Sequence, residues 1–244
     1  MKRTLIITTT FLLASLTLIY LKQKSLKPNL RISNTEPWEI YDYYFFALQW
    51  GATMCLKEGK TCYEKLKQIP SNELSIHGLW PSLLKGKNLE ECNKGTQIVI
   101  EDNEKMNKIK KYWISLNQNT NSKFWGHEYN KHGYCYNKKK NVDVNNYLFY
   151  FNQALDIFTK NKLNVLIINA LGERKGLQNI SYKDLYSKIK EKLGGDYFQI
   201  ICNNYNGKQY LGEIRIGFDL DFKLRKINKG STCSQKNDIY IEFV

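Results

Sequence analysis

Apolar and polar residues follow one another along the chain in patterns typical of both strands and helices. Aromatic and aliphatic runs, some alternating with polar residues, predict strands at 43–49, 198–202, 210–218 and 239–244. Apolar residues at helical spacing predict helices at 101–115, 147–158 and 181–193. The short apolar run 163–168 fits either a core strand or the end of a helix. Because the two kinds of element interleave without a regular β-α-β rhythm, we expect an α+β fold, an antiparallel sheet flanked by helices.

The N-terminal segment has the pattern of a secretory signal. Lys2 and Arg3 precede an apolar run at 4–21, and no clear small-x-small cleavage site follows it. The run is also long enough to cross a bilayer, so residues 1–24 are either a signal peptide or an uncleaved anchor that tethers the chain to a membrane. A polar stretch at 25–35 predicts a linker. The remaining 36–244 can bury one good core, which predicts a single domain.

The cysteines agree with an oxidising compartment. There are six, none of them in the leader and none in a C-x-x-C pair: Cys55, Cys62, Cys92, Cys135, Cys202 and Cys233. An even number in a secreted chain predicts three disulfides, which favours the secretory pathway, with the extracellular space or a lysosomal or vacuolar lumen as destination. Six cysteines allow 15 connectivities, which the residues alone leave open. Near-neighbour pairing would give Cys55–Cys62, Cys92–Cys135 and Cys202–Cys233.

Charge and one short motif change this picture little. Lys and Arg total 37 against 23 Asp and Glu, a formal net charge of +14. Such a surface attracts polyanions such as nucleic acid or anionic membrane, but a merely solvated Lys-rich surface explains the charge equally well. Asn179 begins a lone glycosylation sequon, a pattern that also arises often by chance.

The chemistry-bearing residues concentrate in two segments that hold all three histidines of the chain. The first, 75–81, carries His77 in a turn-like Gly, Trp and Pro context, and the second, 124–135, carries His127 and His132. We expect the second to be a helix capped by Ser122 and ended by Gly133. At about 100° per residue, its ionisable side chains share one side of that helix. They are His127, Glu128, Lys131 and His132.

A solvated surface helix would also carry such a face, and three observations argue against it. Trp125 and Tyr129 add large apolar surface, so part of the helix is buried and the polar face lines a cleft. A disulfide at Cys135 would fix the end of the helix, as a positioned catalytic group requires. His77 lies beside an aromatic residue in tightly held backbone. Taken together, the two segments predict an active site.

A metal centre is the chemical alternative for clustered His and Glu. In the zinc helix motif two histidines at i and i+4 share a face, whereas His127 and His132 are five residues apart and would diverge by about 140°. No third group of ligands is evident in the sequence. We therefore expect neither a metal nor another cofactor.

The two segments resemble the active-site blocks of the ribonuclease T2 family, secreted endoribonucleases whose blocks read approximately HGLWP and FWxHEWxKHGTC. The resemblance extends from about Trp38 to Val244. Residues 46–50 resemble the first core strand of the family, Tyr112-Trp113 precedes the second block as in the family, and 211–214 resemble a late strand. It supports the same three near-neighbour disulfides. It implies an enzyme that binds single-stranded RNA, needs no obligate protein partner and cleaves through a 2',3'-cyclic phosphate.

The resemblance also implies a role for each site residue. His132 would be the general base for the ribose 2'-hydroxyl and His77 the general acid for the departing 5'-oxygen. Glu128 and Lys131 would stabilise charge on the phosphate. The expected substrate-binding residues are His127 at the phosphate, Trp80 stacking on a base, and Gln49. With one histidine neutral and one protonated, we expect a bell-shaped pH dependence that favours mildly acidic conditions.

The chain departs from the family pattern at four positions. Tyr129 stands for Trp, Tyr134 for Thr or Ser, Ser82 for the Asp of several relatives, and Gly217 for an extra cysteine. None of these removes a catalytic group, although Ser82 leaves the base preference open. Two alternatives remain: a catalytically silent RNA-binding relative, and a secreted or membrane-bound protein whose charge serves adhesion. Neither needs an intact histidine pair.

Overall fold

The computed structural model describes residues 36–70, 74–83, 89, 92–117, 119–172, 174–227 and 230–244. The predicted leader at 1–24 and linker at 25–35 lie outside the described residues. From Pro37 to Val244 the chain forms one compact unit. In the part of the chain that the structure describes, no helix is both long and apolar enough to cross a bilayer.

One sheet organises the fold, and the described residues contribute six strands to it. They are β1 Tyr43–Trp50, β2 Leu74–Ser82, β3 Gly176–Ser181, β4 Phe198–Tyr205, β5 Lys208–Phe218 and β6 Asp238–Phe243. β5 pairs with β4 along one side, and β1 and β6 share its other side. β2 and β3 extend the sheet, which gives the order β2-β1-β5-β6-β3. Every strand pairing is antiparallel except the short β5–β6 contact, which confirms the predicted fold class.

Helices flank this sheet. Their bounds are α1 Pro37–Ile40, α2 Gly51–Glu58, α3 Lys60–Leu66, α4 Asn107–Lys110, α5 Asn121–Glu128, α6 Tyr134–Lys139, α7 Tyr147–Lys160, α8 Leu163–Leu171 and α9 Tyr182–Leu193. The side chain of Ser181 caps α9 by accepting a hydrogen bond from the N–H of Asp184, and Gly194 ends the helix with a φ of 74°. Both boundaries agree with the sequence prediction.

Two other segments differ from the sequence prediction, and a third was left open between strand and helix. Residues 101–115 contain only a 3₁₀ turn at Glu104–Met106 and the short helix α4. Beyond α4 the chain leaves the helical path and runs along the edge of β2, where the C=O of Tyr112 accepts a hydrogen bond from the N–H of Ile76 (2.8 Å). The run at 163–168, for which strand and helix were both open, belongs to helix α8. The strand β3 was not predicted, because none of its residues is buried and they carry little apolar pattern.

β2 is an end strand of the sheet, and side chains and backbone from elsewhere hold its outer edge. The hydroxyl of Tyr150, on α7, accepts a hydrogen bond from the N–H of Leu79 (3.2 Å) and donates one to its C=O (3.0 Å). With the Tyr112 contact to Ile76, these bonds fix the strand on which His77 lies.

The histidine-bearing helix is longer and less regular than predicted. Its cap is Thr120, not Ser122, and Gly133 does not end it, since a π-helical turn at Tyr129–Gly133 joins α5 to α6. A Cβ at Gly133 would overlap the ring of Tyr129 and lie 2.7 Å from that of Tyr150. Glycine is therefore required for close packing here, not for a helix stop.

The structure contains three disulfides, Cys55–Cys62, Cys92–Cys135 and Cys202–Cys233. They are the pairs that near-neighbour pairing gives, and no cysteine of the chain is free. Cys92–Cys135 joins the loop before α4 to the start of α6. Beside it, the N–H of Asn93 donates to the C=O of Asn130 (2.9 Å), and its Nδ2 donates to Asn130 Oδ1 (2.7 Å). The loop at 92–98 is thus fastened to the π turn.

Candidate active site

A β-bulge positions His77. In the pairing of β1 with β2, Ala47 faces Gly78 and Leu48 faces Ile76, so His77 is the additional residue. A bulge bends its strand locally and redirects a side chain, a device common beside active sites. The turn-like interpretation of 75–81 was therefore wrong, because Gly78, Trp80 and Pro81 all lie within β2.

The π turn brings the helical residues to the same place. An inserted residue reduces the angle between successive side chains, so the predicted divergence of about 140° between His127 and His132 does not apply. Both histidines line one cavity together with Glu128 and Lys131. His77 and Trp80 reach the same cavity from β2. Its volume of about 560 Å³ is in the range of small-molecule and nucleotide sites.

Glu128 is the central charge of the cavity wall. Its side chain is 2% exposed, its Oε2 accepts a hydrogen bond from Trp80 Nε1 (2.8 Å), and its Oε1 lies 3.5 Å from His77 Nε2. Burial would raise the pKa of this carboxyl, but the imidazoles of His77 and His132 and the hydrogen bond from Trp80 outweigh it and lower the pKa to about 2. Glu128 is therefore ionised across the physiological range.

The two histidines take opposite protonation states. Burial would lower the pKa of His77, but Glu128 and a second carboxylate, Glu213, raise it to about 10. Burial lowers the pKa of His132 to about 3, and repulsion from Lys131 adds to that effect, while Glu128 offsets only part of it. At neutral pH His77 is an imidazolium and His132 a neutral imidazole.

Trp80 lies between these groups. Its indole contacts His77 edge to face (ring centroids 4.9 Å apart) and His132 at a 32° tilt (5.4 Å). A Cβ at Gly78 would overlap both Trp80 Nε1 and the carboxylate of Glu128, so the glycine is needed for their hydrogen bond to form. The indole thus links the two imidazoles to the buried carboxylate.

One predicted site residue lies elsewhere. Gln49 is buried in β1, donates a hydrogen bond from Nε2 to Ser75 Oγ (2.9 Å), and lines a second cavity of about 180 Å³. His77 borders both cavities. Gln49 therefore shares a cavity with His77 but does not line the one that Glu128, Lys131 and His132 border.

Two charged residues of the site were missed. Glu213 Oε1 lies 2.5 Å from His77 Nδ1, and the Arg215 guanidinium, which lines the larger cavity, lies 4.8 Å over the ring of Trp80. The sequence did contain a signal, since an acid and a base two residues apart in the predicted strand 210–218 must share one face of that strand. Nothing local indicated that this face meets His77.

The cavity contains the groups that acid–base chemistry on a phosphate ester requires. A neutral imidazole, an imidazolium and the cationic side chain of Lys131 border a single space that can hold a nucleotide. Within the described ranges, no three His, Cys, Asp or Glu side chains are arranged to hold a metal ion.

Several known proteins that are similar in sequence to this chain are ribonucleases. Ribonuclease Oy of Magallana gigas is 30% identical over 212 residues, which are 82% of this chain and 95% of that protein. Two relatives from Solanum lycopersicum are named as an intracellular and an extracellular ribonuclease.

Solved structures share the fold. The self-incompatibility-associated SF11-RNase of Nicotiana alata matches with a TM-score of 0.65 at 23% identity, covering 83% of this chain and 98% of that one. A variant of RNase MC1 in complex with 5'-GMP matches with a TM-score of 0.62 at 23% identity, covering 83% of this chain and all of that one. The sequence profile of the ribonuclease T2 family matches residues 41–236. More than half of the chain fits that profile, and the chain therefore belongs to the ribonuclease T2 family of endoribonucleases.

Proposed function

We propose that the chain cuts single-stranded RNA by transphosphorylation, without a metal, through a 2',3'-cyclic phosphate. The observation that carries the proposal is the pair of imidazoles that border one cavity and contact one indole. Their opposite protonation states suit a base and an acid at neutral pH.

His132 is the proposed base. Its neutral imidazole takes the proton of the ribose 2'-hydroxyl, whose oxygen then bonds to phosphorus. His77 is the proposed acid, and it gives a proton to the 5'-oxygen as the bond from phosphorus to that oxygen breaks. The reaction uses the nucleophile that RNA carries, so no activated water is needed in this step.

The remaining residues support the charge that builds on the phosphate. Lys131 and the exposed His127 border the cavity beside His132 and would bind the non-bridging oxygens. Glu128 keeps His77 protonated. It also accepts the hydrogen bond from Trp80 Nε1 and so holds the indole of Trp80 against both imidazoles. Trp80 remains the proposed contact to a base, and Gln49 remains a proposed substrate-binding residue. A silent RNA-binding relative is the weaker alternative, because all four proposed catalytic side chains are present, three of them in mutual contact or coupled by charge.

The proposed roles predict the pH profile of kcat/KM. Its acid limb belongs to protonation of His132 and its alkaline limb to deprotonation of His77. Because burial lowers the pKa of the first to about 3 and carboxylates raise that of the second to about 10, the profile should be a broad plateau and not the narrow bell expected from unperturbed histidines. A bound phosphate favours protonated His132, so the acid limb of the kcat profile should lie at higher pH than the acid limb of the kcat/KM profile. Steady-state rates on a dinucleotide from pH 3 to 11 would test this, and a single limb near pH 6.5 would contradict it.

Mass spectrometry of early products tests the reaction itself. A short oligoribonucleotide with one 2'-deoxy linkage should be cut elsewhere, leave 2',3'-cyclic phosphate ends, and stay intact at that linkage. EDTA should not change the rate. Ends bearing 3'-hydroxyls, cleavage at the 2'-deoxy linkage, or a loss of rate in EDTA that a divalent metal restores would each overturn the corresponding part of the proposal.

We also propose that the protein acts in the secretory pathway or beyond it, in the extracellular space or a lysosomal or vacuolar lumen, without an obligate protein partner. The support is the signal-like segment at 1–24 together with three disulfides, which persist in oxidising compartments. Asn179, the first residue of the sequon, is exposed on β3, and its Nδ2 donates a hydrogen bond to Asp238 Oδ2 (2.9 Å). Mass analysis before and after glycosidase treatment of the secreted protein would show whether a glycan is attached.

A further inference from the structure

We infer that Glu213, on β5, is the positioning residue that orients His77 and selects the Nε2 proton for delivery to the leaving oxygen. The inference rests on the proposed function. Nδ1 of His77 lies 2.5 Å from Glu213 Oε1, a short hydrogen bond, whereas Nε2 lies 3.5 Å from Glu128, beyond the usual hydrogen-bond length. The proton on Nδ1 is held and the proton on Nε2 is available.

The carboxylate of Glu213 is itself fixed. Its side chain is 13% exposed, and its Oε2 accepts a hydrogen bond from Nε of Arg215 (2.7 Å) and lies 2.7 Å from Nη2 of the same guanidinium. The guanidinium of Arg215 lies over Trp80, and Trp80 donates to Glu128. The contacts thus form a closed ring, because His77 contacts both Glu213 and Glu128 and completes the connection through Arg215 and Trp80. Such a ring of contacts leaves the imidazole little freedom to rotate.

The sheet explains how residues so distant in sequence meet. β1 lies between β2 and β5, with Gln49 opposite both Ser75 and Glu213. Strands two apart are separated by about 10 Å, which a glutamate and an imidazole can bridge together if both lie on the same face. His77 follows Ser75 by two residues, so strand alternation places its ring on the face of Gln49 and Glu213. The additional residue of the bulge brings Trp80, three residues after His77, to the same face.

The charges around His77 make its protonation depend on Glu213. The charged and titratable groups that face it are Glu128 from α5, Glu213 and Arg215 from β5, and His132 from the π turn. A neutral residue at 213 leaves one carboxylate to favour the imidazolium. The pKa of His77 should then fall, and the alkaline limb of the pH profile should move to lower pH.

Glu213→Gln tests the inference with two substrates. One is a dinucleoside monophosphate, whose leaving oxygen must be protonated. The other is a uridine 3'-(4-nitrophenyl phosphate), whose nitrophenolate leaves without a proton. We expect kcat/KM to fall roughly 10- to 100-fold on the first substrate, the range seen when the carboxylate partner of a metal-ligating histidine is removed, and to stay nearly unchanged on the second. Glu242→Gln is the matched control, since Glu242 is a strand carboxylate bonded to Tyr63 away from both cavities.

Equal losses on both substrates would mean that Glu213 has only a structural role, and no loss on either would refute the inference. If the wild-type enzyme cleaves neither substrate, the proposed function fails instead. The inference is then still decided by NMR, because the chain has only three histidines and the ring resonance of His77 can be assigned with His77→Ala. Its titration should move to lower pH in Glu213→Gln but not in Glu242→Gln, and an unchanged titration would overturn the inference.

Discussion

Alanine at His132 is expected to lower kcat/KM by about 10²-fold or more on any RNA substrate, whereas the loss from alanine at His77 depends on the leaving group. Removal of a general base slows attack by the 2'-hydroxyl whichever group departs. Removal of a general acid matters only where the departing oxygen needs a proton. His77→Ala should therefore lose about 10²-fold or more on a dinucleotide and little on a 4-nitrophenyl ester.

Initial rates of His77→Ala, His132→Ala and wild type on both substrates measure this difference. All three histidines line the cavity, so the chain offers no histidine outside the site as a control. Glu242→Gln serves that purpose, and thermal unfolding of each variant separates lost chemistry from lost structure. Equal loss of rate on both substrates in His77→Ala would contradict the role of His77 as the general acid. A normal rate of His132→Ala on the nitrophenyl ester would contradict the role of His132 as the general base.

Replacement of Cys92 and Cys135 by serine is expected to reduce both stability and activity. Their disulfide closes a loop of 43 residues, and loop-closure entropy assigns such a bond about 4 kcal/mol of unfolding free energy. The same bond, with the Asn93–Asn130 hydrogen bonds, fastens the loop at 92–98 to the π turn that carries Lys131 and His132. Without it, the two side chains should be less well held, and kcat should fall in the molecules that remain folded.

The Cys55–Cys62 bond provides the control. It spans seven residues, for which the same relation gives about 2.4 kcal/mol, and it joins α2 to α3 away from the cavity. Its double serine variant should be less stable but as active per folded molecule as wild type. Urea unfolding and rates at a temperature where both variants are folded measure the two effects. Full kcat in the Cys92→Ser, Cys135→Ser protein would show that the loop does not position the site.

Local signals in the sequence were sufficient for much of the fold and for one side of the site. Helix α9 begins after the capping residue Ser181 and ends at Gly194, and apolar residues recur at helical spacing between them. Its bounds can therefore be predicted from the sequence. His127, Glu128, Lys131 and His132 lie within six consecutive residues, and chain connectivity alone keeps them together. Predictions of this kind succeed because every determinant is close in sequence.

The parts that were missed depend on strand register and packing. A bulge exists only in the pairing of β1 with β2, so the sequence around His77 looked like a turn. The close packing that requires glycine at 133 involves the rings of Tyr129 and Tyr150, and Tyr150 comes from another helix. Glu213 is 136 residues from His77, and only the order of three strands makes them neighbours. No pattern within a short window contains that information.

The position of His77 on an end strand has a further consequence, for self-association. An exposed edge offers unpaired N–H and C=O groups to which a strand of another molecule can add, and such edges nucleate aggregation. At β2 the hydroxyl of Tyr150 is hydrogen-bonded to both the N–H and the C=O of Leu79, and the C=O of Tyr112 accepts a hydrogen bond from the N–H of Ile76. The strand that supplies the proposed acid is therefore closed to strand addition along this stretch, while the face that carries His77 remains open to the cavity.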